Sequence, residues 1–192
     1  VSQDSAVWLR GDLEPTGTTT GPDGRVYTTY DSVREASYVL TNAQADAKSL
    51  LVSASVAKSY DFGLDWSLGY AYSDAEDVHP MTSSVAFSNY VNRAFAEPQD
   101  VSAATSDYNI EHRFTALVSY ENTFFGDNAT RFTLFGQANS GLPYSYTIDV
   151  DPNDISGFNP YLEGNPYLAA GQVRNGVEGS WWAKADLKIE QE

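Results

Sequence analysis

Two histidines, a run of alternating carboxylates and a tryptophan pair are the residues of this sequence that could do chemistry. His112 sits in Glu111-His112-Arg113, where an imidazole between a carboxylate and a guanidinium could hold a metal or relay a proton. The same residue can simply open a strand and bond its neighbours, and this is the expectation for it. With His79 as the only other histidine and no cysteine, the chain has too few ligands for a dedicated zinc site. Asp149, Asp151 and Asp154 place carboxylates in the way calcium prefers. However, the sixth position of such a loop is Asp154 rather than Gly, and the twelfth is Pro160 rather than Glu. A solvated acidic loop is therefore expected there, and equally for Asp74, Glu76 and Asp77 with Asp100. Trp181-Trp182 could stack on a sugar ring, but at the start of a strand an interfacial anchor is the expected role. Arg10-Gly11-Asp12 spells a short cell-adhesion tripeptide, and Asn128-Ala129-Thr130 a glycosylation acceptor. Both are matches of a length that chance supplies, and the second falls where a hairpin turn is predicted. No nucleophile elbow, phosphate-binding loop or dinucleotide fingerprint is present. The reading is of a protein that is not an enzyme and needs no cofactor.

The elements that would position these residues are strands. Leu64, Trp66, Leu68, Tyr70 and Tyr72 alternate with Asp65, Ser67, Gly69 and Ala71, which is the period of a β-strand with one apolar face. Leu50, Val52, Ala54 and Val56 alternate in the same way just before a turn at 58–63, so the two segments predict a hairpin. Phe114, Ala116, Val118 and Tyr120 make a second hairpin with Phe132, Leu134, Gly136 and Ala138 through Gly126-Asp127-Asn128. The cleanest alternation is Trp181, Ala183, Ala185, Leu187 and Ile189 against Trp182, Lys184, Asp186, Lys188 and Glu190. Shorter strands are expected at 6–10, 25–30 and 37–40, with turns at 14–17 and 21–24. Residues 42–50 have weak helical propensity without a helical stripe. Residues 74–111 and 149–180 read as long loops, with Asp74, Glu76 and Asp77 beginning the first.

Bulk composition narrows the function classes. The chain has 192 residues, with 11 Lys+Arg against 26 Asp+Glu and a formal net charge of −15. That balance argues against a nucleic-acid partner, which needs clustered cations. No apolar run approaches the length of a membrane helix, but a membrane barrel crosses with short alternating strands. Absence of Cys fits an exported bacterial protein. Short turns after Ser59 and Phe125 alternate with long loops after Tyr72 and Tyr146, the asymmetry of an outer-membrane barrel. A water-soluble β-sandwich alternates equally well, and periodicity alone leaves both open.

Four stretches occur together in one order: N-I-E-H-R-F-T-A-L-V-S-Y-E (109–121), F-F-G-D-N-A-T-R-F-T-L-F (124–135), S-G-L-P-Y-S-Y-T (140–147) and W-W-A-K-A-D-L-K-I-E-Q-E (181–192). With P-M-T-S-S-V-A-F-S-N-Y (80–90) they resemble the C-terminal barrel strands of TonB-dependent outer-membrane receptors. The nearest group is the Oar-like receptors with a carboxypeptidase-regulatory-like N-terminal domain. The resemblance covers most of residues 50–192 and is loose over residues 1–40.

It implies that residues 1–192 are all-β, an antiparallel portion of a transmembrane β-barrel of about 22 strands closed by a plug. The plug, the TonB box and a signal peptide are not in this sequence, and the stretch between 148 and 180 is shorter than the family's. The implied location is the bacterial outer membrane, in contact with lipid and lipopolysaccharide. The implied function is uptake of a small ligand or peptide driven by the proton-motive force, with the TonB complex engaged through the N-terminal part. Leu50, Val52, Val56, Trp66, Leu68, Tyr70, Phe114, Val118, Tyr120, Phe132, Leu134, Leu187 and Ile189 are expected to face lipid. Asp77, Asn89, Tyr90, Asn92, Arg93 and Tyr108 are expected, from loop position alone, to face ligand. The alternative is a soluble surface β-sandwich module that binds carbohydrate or peptide, in which the same apolar residues are covered by protein.

Overall fold

The computed structural model describes residues 6–21, 24–32, 37–43, 47–97, 99–148 and 167–191. The chain is all-β with antiparallel sheets, and one short helix forms among the described residues. Along the sequence run β1 (Ala6–Arg10), β2 (Leu13–Thr20), β3 (Val26–Ser32), β4 (Tyr38–Asn42), β5 (Ser49–Ser59) and β6 (Leu64–Asp77). Then follow α1 (Ala86–Val91), β7 (Ala104–Thr105), β8 (His112–Phe125) and β9 (Asn128–Asn139). The two-residue strands β10 (Pro143–Tyr144), β11 (Thr147–Ile148), β12 (Tyr167–Leu168) and β13 (Val177–Glu178) lead to β14 (Trp182–Gln191). The chain divides into two compact units: unit 1 is 1–48, 75–107 and 143–177, and unit 2 is 49–74, 108–142 and 178–192.

Unit 2 is one antiparallel sheet in the order β14-β9-β8-β6-β5. Its hairpins form where the turn chemistry allows. At β5–β6 the Gly63 N–H reaches the Tyr60 carbonyl (3.0 Å) and the Tyr60 N–H reaches the Leu64 carbonyl (2.9 Å). Gly63 closes this turn at φ 90°, with the Glu121 backbone where a β-carbon would stand, so only glycine fits. At β8–β9 a two-residue Gly126-Asp127 loop has Gly126 at φ 72°, which matches the first position of a type II′ hairpin turn.

Register then sorts the side chains. Leu64, Trp66, Leu68 and Tyr70 lie opposite Tyr120, Val118, Ala116 and Phe114. Those lie opposite Phe132, Leu134, Gly136 and Ala138, which in turn face Ile189, Leu187, Ala185 and Ala183. Bonds at the two ends of β5–β6, Tyr60 N to Leu64 O and Glu76 N to Lys48 O, share one register and bring Leu50, Val52 and Val56 onto the same face. Every residue expected on the apolar face shares it. The sheet is open: β5 and β14 are edges, and no closed barrel forms among the described residues. Barrel closure therefore does not follow from this structure.

Unit 1 is built differently. β1 pairs with β4, and β2 with β3 around a bulge at Pro15/Gly17, so 14–17, expected as a turn, is strand. Its core is aromatic. Tyr27, Tyr90, Phe95 and Tyr167 are buried together, with Trp8, Tyr38 and Ile148 packed against them. Tyr27 and Phe95 both meet Tyr167 edge-on, with ring centroids 5.5 Å and 5.1 Å away, a geometry that adds to plain area burial. Two further expectations change. Asp74, Glu76 and Asp77 continue β6 rather than starting a loop; the last two gain ladder partners in Thr105 and Ala104, so tertiary pairing outweighs the break in alternation. No helix forms among the described residues of 42–50, where β4 ends and β5 begins. Helix α1 lies inside 74–111 and has no side-chain N-cap.

Candidate functional site

Two surfaces carry the residues that sequence reasoning singled out. The first is the apolar face of unit 2. In its middle stand Val56, Leu68, Val118, Leu134 and Leu187, between 38 % and 66 % exposed. Contiguous exposed apolar surface marks a place of contact with protein, ligand or membrane. Rings gather at both ends. At one end Tyr70 lies 4.7 Å from Phe114, and His112 stacks on Trp181 at 5.8 Å and 17°. At the other end Tyr60 meets Phe62 at 5.2 Å, and Phe124 meets Tyr120 at 6.0 Å and Phe132 at 5.8 Å. From His112 to Phe124 the strand rises about 40 Å, which tilted by about 40° spans roughly 30 Å, close to a bilayer's hydrocarbon core. Between the belts, Ala116, Gly136, Ala138 and Ala183 sink the surface into an apolar groove of about 640 Å³.

The opposite face is polar. Lys184 pairs with Asp186 at 2.9 Å and Lys188 with Glu190 at 2.7 Å, while Arg131 pairs with Glu121. Ser119 and Thr133 share a hydrogen bond at 3.3 Å. Leu51, Leu117, Phe135 and Trp182 are large apolar residues on this face.

His112 belongs to one ring cluster. Its Nδ1 bonds the Tyr70 hydroxyl at 2.9 Å, its backbone N–H donates to Ser140 Oγ at 3.1 Å, and Glu111 lies 3.6 Å from Nε2. It opens β8 and bonds its neighbours. No group of three or more His, Cys, Asp or Glu that could hold a metal occurs among the described residues. Asp149, Asp151 and Asp154 lie outside those residues.

The second surface is in unit 1. Of the six residues expected to face ligand, Tyr108 falls in unit 2 and is 64 % exposed; the other five fall in unit 1, where Asn92 is exposed at the C-terminal cap of α1. Asn89 and Tyr90 are buried. Asn89 ties the loop to the helix, accepting from the Ser83 N–H at 2.9 Å and donating to the Ser83 carbonyl at 2.6 Å. Tyr90 is a core residue 5.8 Å from the Tyr38 ring, and burial pushes its hydroxyl pKa well up. Loop position alone misjudged both, because an aromatic core also draws on loop residues.

Asp77 accepts from Arg174 at 2.8 Å, and a second Arg174 bond goes to the Asp77 carbonyl. Arg93 is buried over the Phe95 ring at 5.7 Å; burial lowers its pKa to about 10, an effect to which Arg174 adds and which Asp100 opposes. Arg93 and Arg174 line a cavity of about 270 Å³. His79 is buried beside them. Desolvation first, and then the charges of Arg93 and Arg174, hold its pKa down to about 3, so it is neutral.

Sequence reasoning missed Arg174 and Asn175. Asn175 donates to the Thr105 carbonyl and accepts from Ser145 Oγ (2.8 Å and 3.2 Å). The only local hint was the turn pair Asn175-Gly176. The adhesion tripeptide is closed off, since Arg10 and Asp12 are buried and paired with each other. Comparison with family models, with curated proteins and with solved structures gives no match for this chain.

Proposed function

We propose that unit 2 is a wall segment of an antiparallel transmembrane β-barrel in a bacterial outer membrane, and that the whole protein is a TonB-dependent receptor that takes up a ligand. One observation carries the wall reading: an exposed apolar face bounded by aromatic rings at both ends, backed by an ion-paired polar face. In lipid the first face needs no protein cover, while the second can meet a water-filled lumen. A closed barrel would also give the edges β5 and β14 partners for their backbone groups. The transport reading rests on the resemblance of the ordered strand segments. In it, loop residues such as Tyr108 and Asn92 meet ligand from outside, and the TonB complex pulls on the plug through the N-terminal part of the protein.

The competing soluble β-sandwich requires a second sheet over Leu68, Val118, Leu134 and Leu187, which are exposed here. Fractionated envelopes of the source cells, probed with an antibody to this chain on gels with and without boiling, test the reading. An outer-membrane band that migrates faster unboiled is the expected result. A soluble band unaffected by boiling would overturn it.

A further inference from the structure

We infer that unit 1 holds a binding site for a small carboxylate with an apolar body, gripped by Arg93 and Arg174. The site stands apart from the transport reading and does not need it. Its cavity of about 270 Å³ equals roughly nine water volumes, the size of an acylated amino acid. Phe95, Ala96, Ala103, Leu168 and Val173 give it an apolar wall, and Ser102 and Gln172 add hydrogen-bonding groups.

Arg93 and Arg174 also line the cavity, and both residues are more than nine-tenths buried. Arg174 spends Nη2 on Asp77. Its Nη1 is buried and makes no hydrogen bond among the described residues; the nearest carboxylate oxygen, on Asp107, is 3.8 Å away. That oxygen already accepts from Asn175. A buried donor of this kind gains most from a charged acceptor. A carboxylate offers two oxygens in the plane that a guanidinium matches.

Asp100, the carboxylate that lines the same cavity, is turned onto Ser102, accepting from its N–H at 2.8 Å and its hydroxyl at 2.9 Å. With Asp77, Asp100 and Asp107 nearby, a monoanion suits the site better than a doubly charged phosphate. The apolar wall selects the body and the arginines select the head.

The test uses the purified whole chain, with N-acetylphenylalanine and N-acetylphenylalaninamide as probes, read by calorimetry. The acid is expected to bind and the amide to bind at least about tenfold more weakly. Arg174→Lys keeps a cation near Asp77 but loses the planar fork, and should weaken the acid about tenfold. Ala103→Leu adds bulk to the cavity lining and leaves both arginines in the sequence, and should abolish binding while circular dichroism stays unchanged. If Arg174→Lys fails to fold, Ala103→Leu and the acid–amide pair decide. No binding of the acid, equal binding of acid and amide, or binding that survives Ala103→Leu would overturn the site.

Discussion

Unit 1 buries a cluster of rings and unit 2 displays its leucines. Tyr90 and Phe95 are 0 % and 2 % exposed, whereas Leu187 and Leu134 are 66 % and 47 % exposed. Charge divides the same way. Arg10, Arg93 and Arg174 are buried in unit 1, while Arg131, Lys184 and Lys188 form exposed pairs along one face of unit 2. Unit 1 has a buried aromatic cluster, with Arg10 paired to Asp12, Arg174 paired to Asp77 and Arg93 stacked over Phe95. Unit 2 has no buried apolar residue among those described, and its stability must come from backbone ladders and from whatever medium touches its two faces. The lesson is that residue type alone does not decide burial: the same residue types are core in one unit and an exposed face in the other.

Core truncation should give the largest contrast. Phe95→Ala in unit 1 is expected to cost about 3–5 kcal/mol. Phe114→Ala, a ring on an exposed face, should cost much less in water, and chemical denaturation of the two variants measures the difference. A similar loss for both would break the comparison. Next in size, Leu187→Arg on the apolar face should cost about 2–4 kcal/mol of membrane stability, with Lys188→Arg on the other face near neutral. The fraction of heat-modifiable protein in envelopes reads both.

A pH dependence sharpens the picture of unit 1. His79 has its pKa held at about 3, against 6.5 for a free imidazole. Between those values the unfolded chain binds the proton and the folded chain does not, so stability is complete above about pH 6.5 and falls as the pH drops toward 3. Groups facing His79 are Arg93, Arg174 and the backbone of Asn89. Replacing His79 with Phe should flatten that slope, as measured by melting temperature across the window; an unchanged slope would contradict the assignment. The smallest effect is expected at Arg131–Glu121, whose side chains are 53 % and 43 % exposed. Arg131→Ala should shift stability by no more than about 1 kcal/mol.

How much of this the sequence revealed differs between the units for one physical reason. Unit 2 is made of long strands with a strict period of 2, and a period can be read locally. The faces of Leu64 to Tyr70, Phe114 to Tyr120, Phe132 and Leu134, and Leu187 and Ile189 were legible residue by residue. Unit 1 is held by contacts between distant parts of the chain, such as Arg174 with Asp77, Asn175 with Thr105, and Gln99 with both backbone groups of Arg10. No local pattern announces these. Its helix gave no signal either, because it is six residues long and is anchored by Asn89 on Ser83 rather than by a cap. The strand through Glu76 and Asp77 was hidden because its partner β7 is only two residues long. Loop position misled at Asn89 and Tyr90 for the same reason: it describes the connection, not the packing.

The chain's lack of cysteine makes the central claim directly measurable. Single cysteines at Leu134 and at its neighbour Thr133 would carry a nitroxide spin label on opposite faces of β9, in protein held in native outer-membrane vesicles. The account predicts that the label at 134 collides readily with oxygen, which concentrates in lipid, and poorly with a water-soluble nickel chelate, with the reverse at 133. Equal access of the nickel chelate to both positions, or a label at 134 shielded from both reagents, would contradict a lipid-facing wall.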